Sequence, residues 1–248
     1  MIVALAGGVG GAKLARGLAR IGGPGLSVIV NTGDDFEHFD LRICPDLDTI
    51  TYTLAGKANP ETGWGLAGDS WNFMAQMAEL GEADWFRLGD RDMAIHVLRS
   101  QMLRGGETLT AVTARIAARL GIAAAILPMS DAPVRTRVET AEGILDFQDY
   151  FVRRRCEVRI TGLRFDGARE AHASEPVVRA LDAARTVIFC PSNPFVSIDP
   201  ILAVGGIRAR IEKSLAPRIA VSPIIGGKAV KGPAAKMMAE LGYAVSSL

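Results

Sequence analysis

A glycine-rich segment near the amino terminus has the residue types needed to bind a phosphate. Gly7-Gly8-Val9-Gly10-Gly11 follows a short apolar run and precedes a pattern of helical spacing. Glycines let the backbone approach a phosphate closely, and the first N–H groups and positive dipole end of a helix attract one. The candidate ligands are Gly8, Gly10, Gly11 and Lys13. A strand-to-helix turn without a ligand is the alternative.

The same segment narrows the choice of nucleotide. Lys13 stands where the third glycine of the dinucleotide fingerprint would fall, and the Gly-Lys-Ser/Thr ending of a P-loop is missing. The segment therefore predicts a phosphate or nucleotide site without naming the nucleotide, and beside the acidic segment at 45–48 and the turn at Ser192 it predicts a site for a nucleotide diphosphate. It disfavours NAD, FAD and an ATP-hydrolysing motor.

Two acidic segments have the residue types for holding a cation. Asp34 and Asp35 follow an apolar, β-branched run, and Asp46 and Asp48 lie two residues apart just after Pro45. Mg²⁺ prefers one or two carboxylates together with phosphate oxygens. A carboxylate also suits the role of general base toward a hydroxyl. We interpret the second segment as a loop whose two carboxylates point at one cation, with turn or helix-cap chemistry as the alternative.

A third segment, Leu88-Gly89-Asp90-Arg91-Asp92, has the residue types for binding an anion. Arg91, or Arg87 just upstream, could hold a phosphate or carboxylate through two hydrogen bonds. Asp92 is predicted to be the N-cap of the helix that follows. His96 in that helix is interpreted as a partly buried side chain with its hydrogen bonds satisfied. No Ser/His/Asp order or nucleophile elbow indicates a covalent mechanism.

The order of strands and helices around these segments predicts an α/β fold with a parallel sheet. Strand, glycine turn, helix and strand follow one another within about thirty residues, as in a βαβ unit. Further strands are predicted at 123–127, 186–190 and 218–221. Ligands bind beyond the carboxyl ends of parallel strands. We therefore expect the segments at 7–11, 31–35, 191–194 and 222–227 to converge.

The remaining elements complete one predicted Rossmann-like domain over residues 1–248, with a helical and β-hairpin insert at about 60–165. Asp69 is predicted to cap a helix that runs to Leu80. A second helix, 92–104, is expected to place Met93, Val97, Leu98 and Met102 along one side. A helix at 108–120, an antiparallel hairpin within 134–165, helices at 200–213 and 233–241, and a strand at 243–247 are also predicted. Because the sequence stops just after that last strand, we expect the natural protein to continue.

Composition places the protein in a broad class. The net charge of +1 gives no reason to expect nucleic acid or a membrane as partner. Cys44, Cys156 and Cys190 are widely spaced and show no zinc-binding pattern, which favours a reducing, cytoplasmic location. No apolar stretch approaches the roughly 18 to 20 residues that a transmembrane helix needs.

Taken together, the motifs resemble those of the 2-phospho-L-lactate transferase family. Eight motifs occur in the same order as in the family, at 7–11, 31–35, 45–49, 88–92, 127–131, 147–150, 191–194 and 221–226. The resemblance spans nearly the whole chain. A non-catalytic nucleotide or nucleotide-sugar binding protein on the same scaffold is the alternative, and a nicotinamide-dependent oxidoreductase is a weaker one.

The resemblance implies a step in making the deazaflavin coenzyme F-420. A phosphorylated three-carbon acid would move from a GDP-activated donor to the ribityl hydroxyl of the deazaflavin Fo, releasing GMP, with Mg²⁺ required. Whether the acid is 2-phospholactate, phosphoenolpyruvate or 3-phosphoglycerate stays open, because one or two pocket side chains could discriminate them. The resemblance also implies a homodimer.

The resemblance further assigns roles to residues. GDP would be held by the glycine segment with Asn31, Thr32, Ser192, Asn193, Pro194 and Ser222. Asp46 and Asp48 would serve the metal and the acceptor hydroxyl as catalytic residues, with Asp34 as a second metal ligand. Acceptor contacts would come from Asp48, Arg87, Asp90 and Arg91.

Overall fold

The computed structural model describes residues 1–246 of the chain. The strands are β1 (Ile2–Ala6), β2 (Leu26–Val30), β3 (Phe36–His38), β4 (Leu41–Ile43), β5 (Ala125–Pro128), β6 (Arg135–Thr140), β7 (Gly143–Asp146), β8 (Ile160–Asp166), β9 (Thr186–Phe189), β10 (Arg218–Ala220), β11 (Ile224–Ile225) and β12 (Lys228–Ala229). The helices are α1 (Gly8–Gly22), α2 (Pro45–Leu54), α3 (Asn72–Glu79), α4 (Asp90–Arg104), α5 (Leu109–Arg119), α6 (Glu175–Asp182), α7 (Asp199–Ala203), α8 (Ile207–Lys213) and α9 (Ala234–Glu240). Short π-helical turns lie at Asp149–Arg153 and Pro194–Ile198.

Five parallel strands form the central sheet, in the order β10-β9-β1-β2-β5. Side chains alternate across β1, so that Val3 and Leu5 face one apolar core and Ala4 and Ala6 face another. Helices α6, α7 and α8 pack on the first face, and α1, α2 and α5 on the second. This architecture confirms the predicted Rossmann-like α/β fold.

The strand order reverses beside β1. The chain runs from β1 to β2 and β5 on one side, then returns to place β9 and β10 on the other. Loops that leave neighbouring strands in opposite directions open a crevice at such a switch point, where ligands of open α/β sheets bind. The loops after β1, β2, β9 and β10 all leave the same edge of the sheet, as expected from the sequence.

A three-stranded antiparallel sheet, β7-β6-β8, stands beside this edge. It is tied to the loop after β2 by the Thr136 N–H, which donates to the Gly33 carbonyl at 2.8 Å. The predicted hairpin in this part of the chain is therefore confirmed, and its sheet forms a wall next to the strand ends.

The segment after Pro45 is a helix and not the predicted loop. Pro45 occupies the first turn of α2, where its missing N–H costs nothing, and Asp46 and Asp48 lie in the same turn at the positive end of the helix dipole. The β-branched run Thr49, Ile50 and Thr51 disfavours a helix by propensity, but all three are buried. Tertiary packing therefore overrides the local preference.

The predicted caps of α3 and α4 are wrong in an informative way, because the two helices exchange them. Asp69 accepts the N–H groups of Arg91 and Asp92, at 2.8 and 3.1 Å, and so caps α4 instead of α3. Asp90 in turn accepts the N–H groups of Asn72 and Phe73 at the start of α3, at 3.0 and 2.9 Å. The predicted N-cap, Asp92, instead lies buried inside the first turn of α4.

Three further predictions are corrected. Val97 and Leu98 of α4 are 45% and 42% exposed, so only Met93 and Met102 of the predicted apolar side pack into a core. The predicted helix at 200–213 breaks between α7 and α8, where Gly206 has a φ of +89°. Residues 243–246 form no strand, and Ser247 lies outside the described residues. Among residues 1–246, no helix is long and apolar enough to span a membrane.

Candidate active site

The glycine segment turns the chain from β1 into α1. Gly8 has a φ of +58°, a left-handed conformation that favours glycine. Its N–H donates to Asp46 Oδ1 at 2.7 Å. The hydroxyl of Ser192, from the loop after β9, accepts the N–H of Gly7 at 3.0 Å and donates to its carbonyl at 2.8 Å. Two neighbouring segments therefore fasten the turn.

The glycines at 10 and 11 are required by packing against the loop after β9. A Cβ atom on Gly10 would collide with the carbonyl oxygen of Pro191, and one on Gly11 would lie 2.6 Å from Ser192 Oγ. The first N–H groups of a helix have no partner within the helix. Since Gly7 and Gly8 donate elsewhere, the N–H groups of Val9 and Gly10 are the ones left for a ligand, with the exposed Lys13 one turn further on.

Asn31 fixes the position of Asp46. Its Nδ2 donates to Asp46 Oδ2 at 2.9 Å and to the Val196 carbonyl at 3.1 Å, while its Oδ1 accepts the Gly33 N–H at 2.8 Å. Because the Gly8 N–H donates to the other oxygen, Asp46 is held by donors from two loops, the one after β1 and the one after β2. Asn31 thus uses its amide within the protein, and a contact to nucleotide stays a prediction.

Asp34, Asp35 and Asp46 form what we call the open acidic cluster. All three are buried, and one oxygen each of Asp34 and Asp35 has no hydrogen-bond partner among the described residues. Burial raises the pKa of Asp35 and of Asp46 to about 6. Burial, followed by the charge of Asp46, raises the pKa of Asp34 well above its usual value. The charges of Arg42, Arg135 and Arg99 partly offset burial at Asp35, whereas amides and hydroxyls are what stabilise the charged forms of Asp34 and Asp46.

Asp48 and Asp92, with Arg99 and His96, form what we call the closed acidic cluster. Arg99 binds Asp48 with both terminal nitrogens, Nη1 at 3.1 Å from Oδ2 and Nη2 paired with Oδ1. His96 lies between the carboxylates, with Nδ1 3.7 Å from Asp48 and Nε2 3.4 Å from Asp92. Asp92 also accepts a hydrogen bond from the Tyr52 hydroxyl.

The two candidate catalytic carboxylates, Asp46 and Asp48, thus have different neighbours. Residues two apart on a helix do not face each other. Asp46 turns toward Gly8 and Asn31, whereas Asp48 turns toward Arg99 on α4. The expectation that both point at one cation is therefore corrected. The charge of Asp46 acts on Asp34, and the charge of Asp35 acts on Asp46.

Most of the other predicted nucleotide ligands have partners within the protein. Asn193 Oδ1 accepts the Phe195 N–H at 3.0 Å, next to Pro194, which begins a π-helical turn. Ser222 Oγ accepts the Ile224 N–H at 3.1 Å. Thr32 differs, because its buried hydroxyl has no partner among the described residues. Which of these contact a nucleotide stays a prediction.

A small cavity of about 20 Å³ lies close to the predicted acceptor ligands, although its lining residues include none of Asp48, Arg87, Asp90 and Arg91. Trp71 lines it, and the guanidinium of Arg87 lies 4.2 Å from the centre of the Trp71 ring. Asp92 of the closed acidic cluster also lines it. Arg91 donates to the Ala67 carbonyl at 3.1 Å, and Asp90 caps α3 as described above.

Hydrogen bonds hold the pKa of Asp90 low, at about 2. The largest contribution comes from the Ser70 hydroxyl, followed by the N–H of Phe73. The side chain therefore has a structural duty, and its contact with an acceptor stays a prediction.

Sequence reasoning missed Arg99, and it gave His96 only a structural role. A signal was present, because Asp92, His96 and Arg99 recur at helical spacing and mark one polar face of α4. This polar face is buried, whereas the apolar residues at positions 97 and 98 are exposed. A polar stripe is ordinarily interpreted as a solvated surface, so only the packing of α4 against β4 and α2 identifies it.

The fold is that of a Rossmann-like α/β protein, with acidic groups and free helix amides at the carboxyl edge of its sheet. The chain belongs to the 2-phospho-L-lactate transferase CofD family, whose pattern matches residues 2–247. The resemblance noted in the sequence is confirmed, and the protein is an enzyme of the transferase class.

Curated relatives agree over nearly the whole chain. A phosphoenolpyruvate transferase of Kitasatospora aureofaciens is 45% identical, over 97% of this chain and 77% of the relative. A 2-phospho-L-lactate transferase of Methanosarcina mazei is 40% identical, over 100% of this chain and 81% of the relative. Among solved structures, a UPF0052 family protein of Bacillus halodurans shares the fold, with a TM-score of 0.62 and 18% identity over 88% of this chain and 67% of that one.

Proposed function

We propose that the protein transfers a phosphorylated three-carbon acid from its GDP-activated form to the ribityl hydroxyl of the deazaflavin Fo, releasing GMP, in coenzyme F-420 biosynthesis. The observation that carries this proposal is the hydrogen bond from Gly8 to Asp46, beside the unpartnered oxygen of Asp34. It places an uncompensated acidic pair against the amino terminus of α1, so a metal ion and a diphosphate would meet there.

The diphosphate side of the site rests on α1. This helix has 15 residues, and its first turn offers the N–H groups of Val9 and Gly10 together with the positive end of its dipole. Lys13 adds a positive charge on the exposed side of the same turn. We infer that these groups hold the GDP half of the donor. The loops containing Asn31, Thr32, Ser192 to Pro194 and Ser222 would then surround the rest of the nucleotide.

The open acidic cluster fits Mg²⁺. Hard cations of this kind take carboxylate and phosphate oxygens, and the unpartnered, buried Oδ1 of Asp34 is the kind of oxygen that a cation would satisfy. Asp34 and Asp46 would hold the ion. When bound, it would stabilise the negative charge that develops on the phosphates.

The transfer itself needs an aligned hydroxyl and stabilised phosphates. The ribityl oxygen would form a bond to the phosphorus that carries the acid, the P–O bond to GMP would break, and the hydroxyl proton would leave to a nearby base or to water. We assign Asp48 to the orientation of this hydroxyl and Arg87 to the acceptor beside Trp71. Asp46 then serves the metal side, and Asp48 the acceptor side.

Four related points accompany the proposal. The relatives are named for two different acids, phosphoenolpyruvate and 2-phospho-L-lactate. Experiment therefore has to decide whether this protein transfers one of these acids or 3-phosphoglycerate. We also propose a single domain with an insert at about 60–165 and a homodimer, which light scattering would test. A cytoplasmic location follows from the sparse cysteines.

The direct test offers the protein Fo, Mg²⁺ and each of the three GDP-activated acids in turn. We expect GMP release and a deazaflavin product whose mass has increased by the phosphorylated acid, with one donor preferred. Asp46→Asn is the matched negative control, because it keeps the shape of the side chain and removes its charge. Absence of GMP release from all three donors, with Fo bound, would contradict the proposal.

A further inference from the structure

Three side chains of the closed acidic cluster have the spacing of a metal site. One ligand atom from each of Asp48, Asp92 and His96 lies within 4.8 Å of the other two, and all three residues are buried. A divalent ion could use carboxylate and imidazole ligands at such distances. The question is therefore which cation balances these carboxylates.

The chain already supplies a cation at this place. Arg99 is 3% exposed and engages both oxygens of Asp48, and its Nη1 also lies 3.4 Å from His96 Nδ1. A guanidinium is planar and permanently charged, so it matches a carboxylate through two parallel hydrogen bonds. A divalent ion in the same pocket would meet this charge at close range. The geometry therefore favours an internal cation over a metal.

Arg99 is itself held firmly. Its Nη1 lies 3.3 Å from the Arg42 carbonyl, and the neighbouring Ser100 hydroxyl accepts the Arg42 N–H at 2.7 Å and donates to the His96 carbonyl at 2.7 Å. Burial is the largest single influence on Arg99 and opposes its charged form, but the charge and hydrogen bonds of Asp48, together with Cys44 and Tyr52, outweigh it and raise the pKa of the guanidinium. The pair remains ionised, with α4 anchored to β4.

A second link joins the same two helices. Tyr52 lies one turn after Asp48 on α2, and its hydroxyl donates to Asp92 on α4. His96 spans the distance between Asp92 and Asp48. Because Asp92 lines the cavity beside Trp71, the network runs from that cavity to Asp48. Each member fixes the orientation of the next.

We propose that Arg99 is a positioning residue that, together with His96, holds the Asp48 carboxylate in the orientation required by the acceptor hydroxyl. Its guanidinium takes the place of the metal ion that the spacing of Asp48, Asp92 and His96 suggests. This inference rests on the proposed function, since it assumes that Asp48 meets the acceptor. Arg99 acts through Asp48 and has no contact with the reacting atoms.

The test uses Arg99→Lys and Arg99→Ala in the whole chain. Lysine keeps the charge and loses the two-pronged geometry, so we expect kcat to fall by about 100-fold, the effect of a misplacement of about 1 Å. GDP affinity, measured by calorimetry, should stay unchanged because the glycine segment is separate. In Arg99→Ala, free guanidinium should restore at least a tenth of the lost rate in a saturable manner. His96→Gln should lower kcat by a smaller factor.

Arg115→Ala is the matched control. Arg115 is exposed on α5, where it pairs with Glu107 at 3.1 Å, and its removal should leave kcat unchanged. Fo binding, followed by fluorescence, gives a second readout that needs no turnover. We expect Arg99→Lys to weaken it and Arg115→Ala to leave it as in the wild type. If Arg99→Ala does not fold, Arg99→Lys and His96→Gln carry the test.

The outcomes separate the two proposals. A wild-type protein that binds Fo but releases no GMP would defeat the proposed function, while the Fo affinities of the variants would still test Arg99. An active wild type whose Arg99→Lys variant is equally active would overturn the positioning role. So would an equal loss of GDP affinity and turnover without rescue. A Co²⁺ titration in which one equivalent is lost in His96→Gln but kept in Asp34→Asn would also overturn it, because the cluster would then hold a metal.

Discussion

The open and closed acidic clusters begin on the same turn of α2 and solve the problem of buried charge differently. In the closed acidic cluster, Asp48 meets Arg99, a cation supplied by the chain. In the open acidic cluster, Asp34, Asp35 and Asp46 meet amides, a thiol and one another, and burial raises the pKa of each, although the charges of Arg42 and Arg135 partly offset burial at Asp35. Buried carboxylates without a nearby cation favour protonation or a bound ion.

This difference explains why two carboxylates so close in sequence can have separate roles. A cluster that lacks its counter-charge is suited to a ligand that arrives with the substrate, such as a metal ion bound to phosphates. A cluster with a built-in counter-charge is suited to holding a side chain still. The predictions below test this difference between the two clusters.

The largest expected effect is on turnover when the open acidic cluster loses a charge. Asp46→Asn should reduce kcat by about 100- to 1,000-fold, as expected for removal of a group that stabilises transition-state charge. The rate should recover in part at high Mg²⁺, because weaker metal binding is the cause. Asp48→Asn should also reduce the rate, but without recovery. A Mg²⁺ titration of initial rates separates the two, and similar Mg²⁺ curves would contradict the division of roles.

Stability should respond differently when a carboxylate is neutralised in the closed or in the open acidic cluster. Asp48→Asn leaves the Arg99 charge buried and unpaired, which costs about 3 to 5 kcal/mol of unfolding free energy. Asp34→Asn removes an uncompensated charge and should leave the metal-free protein as stable as the wild type or more so. Urea unfolding in EDTA at pH 7 measures both. A destabilised Asp34→Asn variant would show that its charge is compensated after all.

The open acidic cluster also predicts a pH dependence. The folded-state pKa of Asp35 and of Asp46 is about 6, against an ordinary value of 3.8, so the folded protein binds more protons than the unfolded chain between these values. Stability should therefore be lost as the pH rises from about 4 to about 7, by up to about 3 kcal/mol for each group. Urea unfolding in EDTA at several pH values measures the slope, which Asp46→Asn should reduce.

Mg²⁺ should reverse part of this loss. An ion that binds only the folded state at 100 times its dissociation constant adds about 2.7 kcal/mol. Thermal unfolding at pH 7 with and without Mg²⁺ measures the gain, which should vanish in Asp34→Asn and persist in Arg99→Lys. If the stabilisation by Mg²⁺ is lost in Arg99→Lys alone, the metal site lies in the closed acidic cluster and not in the open one.

The smallest effect concerns the helix caps that carry the closed acidic cluster. Asp69→Ala removes two acceptors from the start of α4 and should lower the unfolding free energy by about 1 kcal/mol. The exposed Asp84 provides a control, since Asp84→Ala removes a similar charge without a cap. If the two variants are equally stable, the cap that Asp69 provides does not stabilise α4.

Much of the fold could be predicted from the sequence, because its signals are local. The apolar runs at 2–6 and 26–30, the glycines between them and the α/β alternation after residue 170 each act over a few residues. Thr108 and Gly121 mark the limits of α5 in the same way, as the N-cap and a residue with a φ of +70°. Parallel strands then bring their carboxyl-end loops together by geometry alone.

The candidate site could be predicted only in part. The sequence shows the types of residue, but it predicts a loop where α2 forms, and a loop lets Asp46 and Asp48 face one cation. The caps of α3 and α4 were assigned to the nearer aspartates, whereas the helices exchange them over some twenty residues of chain. Such contacts depend on how helices pack, and spacing within one segment does not report that.

By itself, the sequence determined that the chain makes a Rossmann-like sheet with glycine, acidic and basic segments at one edge, since backbone preferences and apolar periodicity are properties of short stretches. Tertiary structure decided which charges meet. It turned Asp46 toward Gly8 and gave Asp48 to Arg99, because a helical turn sends side chains two apart to different neighbours. Whether a buried carboxylate is left for a ligand or already paired depends on those neighbours.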